Sequence, residues 1–414
     1  MRILFLLVFS FMAMQAISAE PVKPKVELGV DLFFKENRLS QIRGKRVGLI
    51  TNQTGVDSKM RPTIDLFLEN AVDYKLAAIF APEHGIHGAA YASENVEDSV
   101  GPNGIPIYGL HGKTRRPTEK MLQNIDVLIY DIQDVGCRTY TYTTTLFYVM
   151  EEAAKRGIQV IVLDRPNPIN GITIDGPMLQ EKWRSFIGYV NVPYCHGMTI
   201  GELARFFNDK YQIGCQLSVV PMKGWRRAMS FKDTGLSWIP TSPHIPESDT
   251  PLFYASTGII GELDIVNIGV WYTLPFKVIG SPWIKAQELA DKLNAQKAPG
   301  VKFLPFYYRP FYGLYKGQDC QGVMILVTQP QVYRPLVVQY LMMGVLKTLY
   351  PKQMQERLAA VSQSKKDLFC KANGNEEMFS LLCNEKYVAW KLILYQKDER
   401  EAFKLARKKY LLYP

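Results

Sequence analysis

The chain has 414 residues, 47% of them hydrophobic and 21% charged, which excludes a disordered or fibrous protein and leaves room for two domains with real cores. Lys and Arg (49) outnumber Asp and Glu (39), but the net +10 is spread along the chain, which argues against a nucleic-acid partner. The one basic cluster, "KLARKKY" near the C-terminus, reads as a helix end or a solvated face.

The opening stretch "MRILFLLVFSFMAMQAISAE" places Arg2 before an apolar run and the small residues Ser18 and Ala19 before Glu20. This is the pattern of a secretory leader, with cleavage expected after Ala19 and a periplasmic or secreted mature protein. A bilayer span needs about 20 apolar residues, and this run and every later one are too short. No integral membrane span is therefore expected once the leader is removed.

From about residue 45 to 225, short apolar runs alternate with amphipathic segments. Strands are expected in "KRVGLIT", "YKLAAIF", "DVLIYDI", "QVIVLD" and "QLSVVPM". Helices are expected in "TIDLFLEN", "TEKMLQNI", "TLFYVMEEAAKRG" and "TIGELARFFNDKY", the last capped by Thr199. Hydrophobicity that is continuous along the strands means burial on both faces, hence a Rossmann-like, doubly wound parallel α/β sheet. After about residue 225, "IPTSPHIPESDTPLFY" reads as a long surface connection. A smaller α+β domain follows, with helices in "PWIKAQELADKLN", "PLVVQYLMMGVLKTLY" and "DEREAFKLARKKYLLY" and strands in "VKFLPFYYRP" and "CQGVMILVT". The expected division is residues 20–230 for the Rossmann-like catalytic domain, 231–280 for a linker and cleft segment, and 281–414 for the smaller domain.

In a doubly wound sheet the ligand crevice lies beyond the carboxyl ends of the strands. Four polar loops fall at such ends: "TNQTG" (51–55), "APEHG" (81–85), "QDVGCRTYTY" (133–142) and "DRPNPING" (164–171). Together they predict a composite site. Glu83, flanked by Pro82 and Gly85, suits a general acid, because partial desolvation of a carboxyl raises its pKa towards neutrality. A loop strut or helix cap explains the same residue equally well. His84 and His87 lack the helical HExxH spacing of a zinc site, and no metal ligand set is expected. The third loop brings Asp131, Gln133, Asp134, Arg138, Tyr140 and Tyr142, a mixture that suits hydroxyl recognition and stacking on a sugar face; ordinary helix capping accounts for part of the run. The fourth is stiffened by two prolines and carries Arg165 and Asn167. "GLHGKT" lacks the first glycine of a phosphate loop, and neither GxGxxG nor GxSxG is present. With export, this leaves no cofactor to expect. Of six cysteines, Cys370 and Cys383 are the nearest pair, and either a bridge or two free thiols fits them.

Several motifs in fixed order resemble the domain-of-unknown-function family 1343, whose characterised members are the NamZ-type exo-β-N-acetylmuramidases of glycoside hydrolase family 171. They are "RVGLITNQTGVD", "APEHGIHG", "TRRPTEKML", "DVLIYDIQDVGCRTYTY", "VLDRPNPING", "DGPML", "HGMTIGELARFFN", "PMKGWRR" and the terminal "YLLYP". The resemblance implies a Rossmann-like domain with a smaller C-terminal domain, and release of N-acetylmuramic acid from the non-reducing ends of peptidoglycan fragments. It implies Glu83 as catalytic acid; where the family's second glutamate is replaced, Glu262, Asp134 or Asp131 is left to act as second carboxylate. The matching cleft motifs hold Asn52, His84, Asp131, Gln133, Asp134, Tyr142, Arg165 and Asn167, and His87, Tyr140 and His196 are further candidate substrate contacts. The partners implied are peptidoglycan-derived muramyl saccharides; no oligomeric state follows.

The chain departs from that pattern in "GELDIVNIGVWYTLPFK" (261–277), where Ile268 and Val270 replace a glutamate and an arginine, and at His87, which replaces another arginine. A glycosidase ordinarily needs two carboxylates, and a bidentate guanidinium is hard to substitute for a sugar carboxylate. Two alternatives therefore stand beside the hydrolase: a peptidoglycan-fragment binding protein that lost the chemistry, and a glycosidase with altered sugar specificity.

Overall fold

Runs of valine, isoleucine, leucine and phenylalanine without polar alternation build a central sheet covered on both faces. In the computed structural model, which describes residues 25–36 and 38–414, the expected leader lies outside the described residues. The strands are β1 (Arg46–Thr51), β2 (Lys75–Ala81), β3 (Ser99–Val100), β4 (Pro106–Gly109), β5 (Val127–Asp131), β6 (Gln159–Leu163) and β7 (Leu217–Val220), in the order β3-β4-β2-β1-β5-β6-β7. All pairings are parallel except β3 with β4. This is the expected doubly wound sheet with one added strand pair.

Side chains alternate across the sheet, so each strand feeds two cores. Ile50, Phe80, Leu128, Tyr130, Val160 and Val162 belong to one core. Val47, Leu49, Ile79, Ile129, Ile161 and Leu163 belong to the other, which also takes in residues of α1 (Gly29–Lys35) and α2 (Thr63–Glu69). A single-turn α3 (Glu119–Leu122) precedes β5; α4 (Thr141–Ala154) follows it, and α5 (Ile200–Lys210) precedes β7. Thr199 caps α5 as expected: its hydroxyl accepts from Glu202 N–H while the Glu202 carboxylate accepts from Thr199 N–H at 3.0 Å.

The second half carries α6 (Thr250–Gly261), β8 (Val278–Ser281), α7 (Ala286–Asn294), β9 (Val301–Tyr308), β10 (Cys320–Val327), α8 (Pro335–Leu349), α9 (Pro351–Ala359), α10 (Gln363–Asn373), α11 (Glu377–Asn384), α12 (Ala389–Leu394) and α13 (Lys397–Ala406). Its sheet is antiparallel, β8-β10-β9. The expected connection over 239–254 runs into α6, whose Pro251 occupies the first turn, where a missing N–H costs nothing. The helix is apolar all round and buried, because it is packed between the two halves and against α8. One core is continuous from β5 and α4 through α6 to α8.

The C-terminal residues return to the first half. Arg227 N–H donates to Pro414 O at 2.9 Å, Leu412 N–H donates to Glu202 Oε1 at 2.8 Å, and the Tyr413 hydroxyl donates to Asp164 Oδ2. Arg407, from the cluster expected to be solvated, is buried and donates to the carbonyls of His196 and Gly197. All six cysteines are free thiols, with Cys370 buried and Cys383 exposed, so the two are not bridged. Among the described residues no helix is long and apolar enough to cross a membrane.

Candidate active site

The sheet reverses direction beside β1: the chain steps from β1 outward to β2 and β4, then returns to place β5 on the other side. A crevice is expected there. It is nearly filled, holding only about 20 Å³ between Thr54, Gln133, Arg165 and Trp238. Much of the filling is a buried ion pair. Asp131 accepts from Arg165 Nε at 2.6 Å and Nη2 at 2.8 Å and from the Thr63 hydroxyl, while the guanidinium also donates to Val56 O at 2.7 Å. The two side chains are 0% and 4% exposed.

Most other polar residues singled out at the strand ends likewise have partners within the framework. Asn52 Oδ1 accepts from Thr54 N–H at 2.9 Å and from its hydroxyl at 2.6 Å. The Gln133 amide donates to the carbonyls of Asp134 and Pro166, both at 2.8 Å. Asp134 accepts from Gly136 N–H at 2.7 Å inside its own turn, and burial pushes its carboxyl up to about 7. Asn167 ties its loop to Met198 O at 3.0 Å, and the Tyr142 hydroxyl donates to Thr241 O. His196 is fully buried, which pushes its imidazole down to about 3. His87 lies exposed at the surface.

The large cavity, about 480 Å³, lies instead between the second and third loops and the second half of the chain, within the usual size of small-ligand sites. Of the predicted residues, Glu83, His84, Tyr140 and Glu262 form its wall. Glu83 follows β2 and reaches the N-terminus of α4. Its Oε2 accepts from the Thr141 hydroxyl at 2.6 Å and its Oε1 from Ser93 N–H at 3.0 Å. His111 Nε2 lies 3.6 Å from Oε1, and burial lowers the His111 pKa, which keeps the ring neutral. His84 sits at φ 71° and is held by its Nδ1 contact with Ala90 O at 2.8 Å. This left-handed turn, followed by Gly85 at φ 76°, directs the chain after Glu83 away from the sheet.

Glu262 ends α6. It is half-buried, reached from the cavity but walled by protein. Desolvation pushes its carboxyl up to about 7, with Lys365 opposing and Asp264 adding to the rise. Its position at the negative end of a helix acts in the same direction. Lys365 forms an ion pair with Asp264 at 3.0 Å.

Other wall residues carry no local motif. Thr139 shares hydrogen bonds with the hydroxyls of Tyr254 at 2.9 Å and Tyr194 at 3.0 Å. His244 stands 6.3 Å from Trp271 between ring centroids, and burial lowers its pKa. Ile268, Val270 and Phe276 supply an apolar side. His244 lies in the proline-rich stretch read as a connection, and Thr139 and Thr141 lie in the "TYTYTTT" run partly assigned to helix capping. A histidine between two prolines was the available signal. The arrangement offers three carboxylates around one cavity, Glu83, Glu262 and the Lys365-paired Asp264, with tyrosine and threonine hydroxyls and an apolar wall. That set suits acid–base chemistry on a sugar.

Comparison with known proteins gives the same direction. A family model described as "Exo-beta-N-acetylmuramidase NamZ, N-terminal" matches residues 47–249, and its C-terminal counterpart matches residues 252–413. The chain is 40% identical over 392 residues to the peptidoglycan beta-N-acetylmuramidase NamZ of Bacillus subtilis (strain 168), covering 94% of this chain and 92% of that protein. Two crystal structures of DUF1343 family proteins from Bacteroides fragilis are similar. One, at 1.65 Å resolution, has a TM-score of 0.86 and 38% identity over 94% of this chain and 99% of the other. The second, at 1.30 Å, has a TM-score of 0.72 and 26% identity with the same coverages.

Proposed function

The chain belongs to the NamZ family of exo-β-N-acetylmuramidases and is a cell-wall glycosidase, and from that premise we propose that it is exported and releases N-acetylmuramic acid from the non-reducing ends of peptidoglycan fragments during wall turnover, with Glu83 as general acid. The observation that carries this reading is the pair of carboxylates, Glu83 and Glu262, in the wall of one cavity. In glycoside hydrolysis one carboxylic acid gives its proton to the glycosidic oxygen as the C1–O bond breaks. The other attacks C1 or takes a proton from the attacking water. Glu83 is supported as the acid by its place: it follows β2, lines the cavity, and is fixed there by the Thr141 hydroxyl and Ser93 N–H. Glu262 then acts as base or nucleophile.

A second reading exchanges the roles. It is favoured by the Glu262 pKa of about 7, the value an acid needs at neutral pH. Glu83→Gln and Glu262→Gln variants decide between them on two substrates, a muramyl disaccharide and an aryl β-N-acetylmuramide with a good leaving group. Loss of the acid slows the disaccharide by about 10²–10⁴-fold and spares the aryl substrate, whereas loss of the base or nucleophile slows both. A Glu83→Gln protein fully active on both substrates overturns either assignment. For export, mass spectrometry of the protein recovered outside the cytoplasm should give an N-terminus at Glu20; an intact Met1 would count against it.

A further inference from the structure

Trp271 belongs to two surfaces. Its indole is part of the cavity wall and also meets Tyr312 edge-on with ring centroids 4.9 Å apart. From there aromatic rings continue out of the cavity: Phe311 is 60% and Tyr312 44% exposed, and Phe311 lies 5.4 Å from Tyr272 at an interplanar angle of 38°. The strip is held in place. Phe311 N–H donates to Trp271 O at 3.0 Å, and Gly313, at φ 66°, lies so close to the indole that an added Cβ would come within 2.5 Å of the ring. The exposed pair Arg309 and Asp319 stands alongside.

Large aromatic faces left in water next to a cavity mark a binding surface rather than a core. A pyranose ring offers a flat apolar face with a polar edge, which suits rigid aromatic rings with a polar rim. Resting on the reading of this cavity as the N-acetylmuramidase site, we propose that Trp271, Tyr312 and Phe311 form an aglycone-side binding strip. It takes the sugars that follow the scissile bond in a β-1,4-linked glycan chain, so the protein selects long chains over the disaccharide. The occupant is argued from continuity: Trp271 lines the cavity and its indole meets Tyr312, so a glycan leaving the cavity on that side passes over the strip.

The test compares a muramyl disaccharide with the hexasaccharide of the same repeat, both with N-acetylmuramic acid at the non-reducing end. Calorimetric affinity and kcat/KM are measured for the full chain and for the Phe311→Ala/Tyr312→Ala double variant. Wild-type protein should favour the hexasaccharide by about tenfold, equivalent to about 1.4 kcal/mol, and the double variant should bring that ratio close to one. The ratio is taken within one sample and does not depend on the folded fraction. Tyr387→Ala, which removes a tyrosine 68% exposed outside the strip, should leave the ratio unchanged. Length-independent binding by the wild type, or a full length preference in the double variant, overturns the strip. Length-dependent binding without turnover of either sugar would leave the strip standing and overturn the proposed activity alone.

Discussion

Replacing Arg165 by methionine separates framework from binding site more sharply than any other single change. Asp131 is 0% exposed and receives two of its three side-chain hydrogen bonds from that guanidinium. Arg165→Met leaves the carboxylate with the Thr63 hydroxyl alone and takes the donor from Val56 O. Breaking a buried pair from one side costs about 3–5 kcal/mol, because the remaining charge stays desolvated. Losing the Val56 partner places the expected value at the upper end. With a urea slope of about 3 kcal/mol/M, the midpoint should fall by about 1–2 M. Adding Asp131→Asn removes the stranded charge and should recover at least about half of the loss. The folded Arg165→Met protein should keep a KM close to wild type. A stability change below about 1 kcal/mol with a KM raised tenfold would show instead that Arg165 meets the substrate, and the framework assignment would be wrong.

Glu262 gives stability a pH dependence of known sign. Its folded pKa, about 7, lies above the usual carboxylate value of 4.5, so the stability it contributes is full below about pH 4.5 and is lost as pH rises through 7. Glu262→Gln should therefore raise the urea midpoint at pH 8, by on the order of 3 kcal/mol in free energy, and the difference should vanish near pH 4; a pH-independent difference would contradict this. His196 works in the opposite sense: its folded pKa of about 3 means that stability is present above about 6.5 and lost on acidification, a loss that His196→Asn should reduce in acid unfolding curves. Tyr413→Phe removes one donor to the buried Asp164 and one acceptor for Met222 N–H, and should cost about 1–3 kcal/mol in chemical unfolding.

Strands β1, β2, β5 and β6 are legible in the sequence because burial on both faces leaves apolar runs, whereas β7, a half-buried edge strand with Ser218 inside it, shows only a short one. The β4 segment is not legible: four residues that begin with Pro106 and end with Gly109 look like a turn. At the site, Glu83 is visible because a carboxylate between proline and glycine at a strand end stands out. Asp131, Arg165 and Asn167 stand out for the same reason, yet local sequence cannot tell a polar side chain that faces a ligand from one that faces another polar side chain across the sheet. The opposite failure hides the cavity wall. Val266, Ile268 and Phe276 have the composition of a core, and only the tertiary arrangement around α6, which packs on α8 and α10, shows that one side of them is open. Glu262 is recognised through family resemblance, and its raised pKa comes from burial that no sequence motif records.

The tie between Tyr413 and Asp164 also bears on the order in which the protein can be completed. The two residues are 249 positions apart, so at about 5–20 residues per second some 12–50 s separate their synthesis. Over that interval Asp164 lacks its phenol, and Glu202 lacks the backbone amide of Leu412. All seven strands exist once residue 220 has been made, but the buried carboxylates of Asp164 and Glu202 gain these partners only when residues 412 and 413 follow.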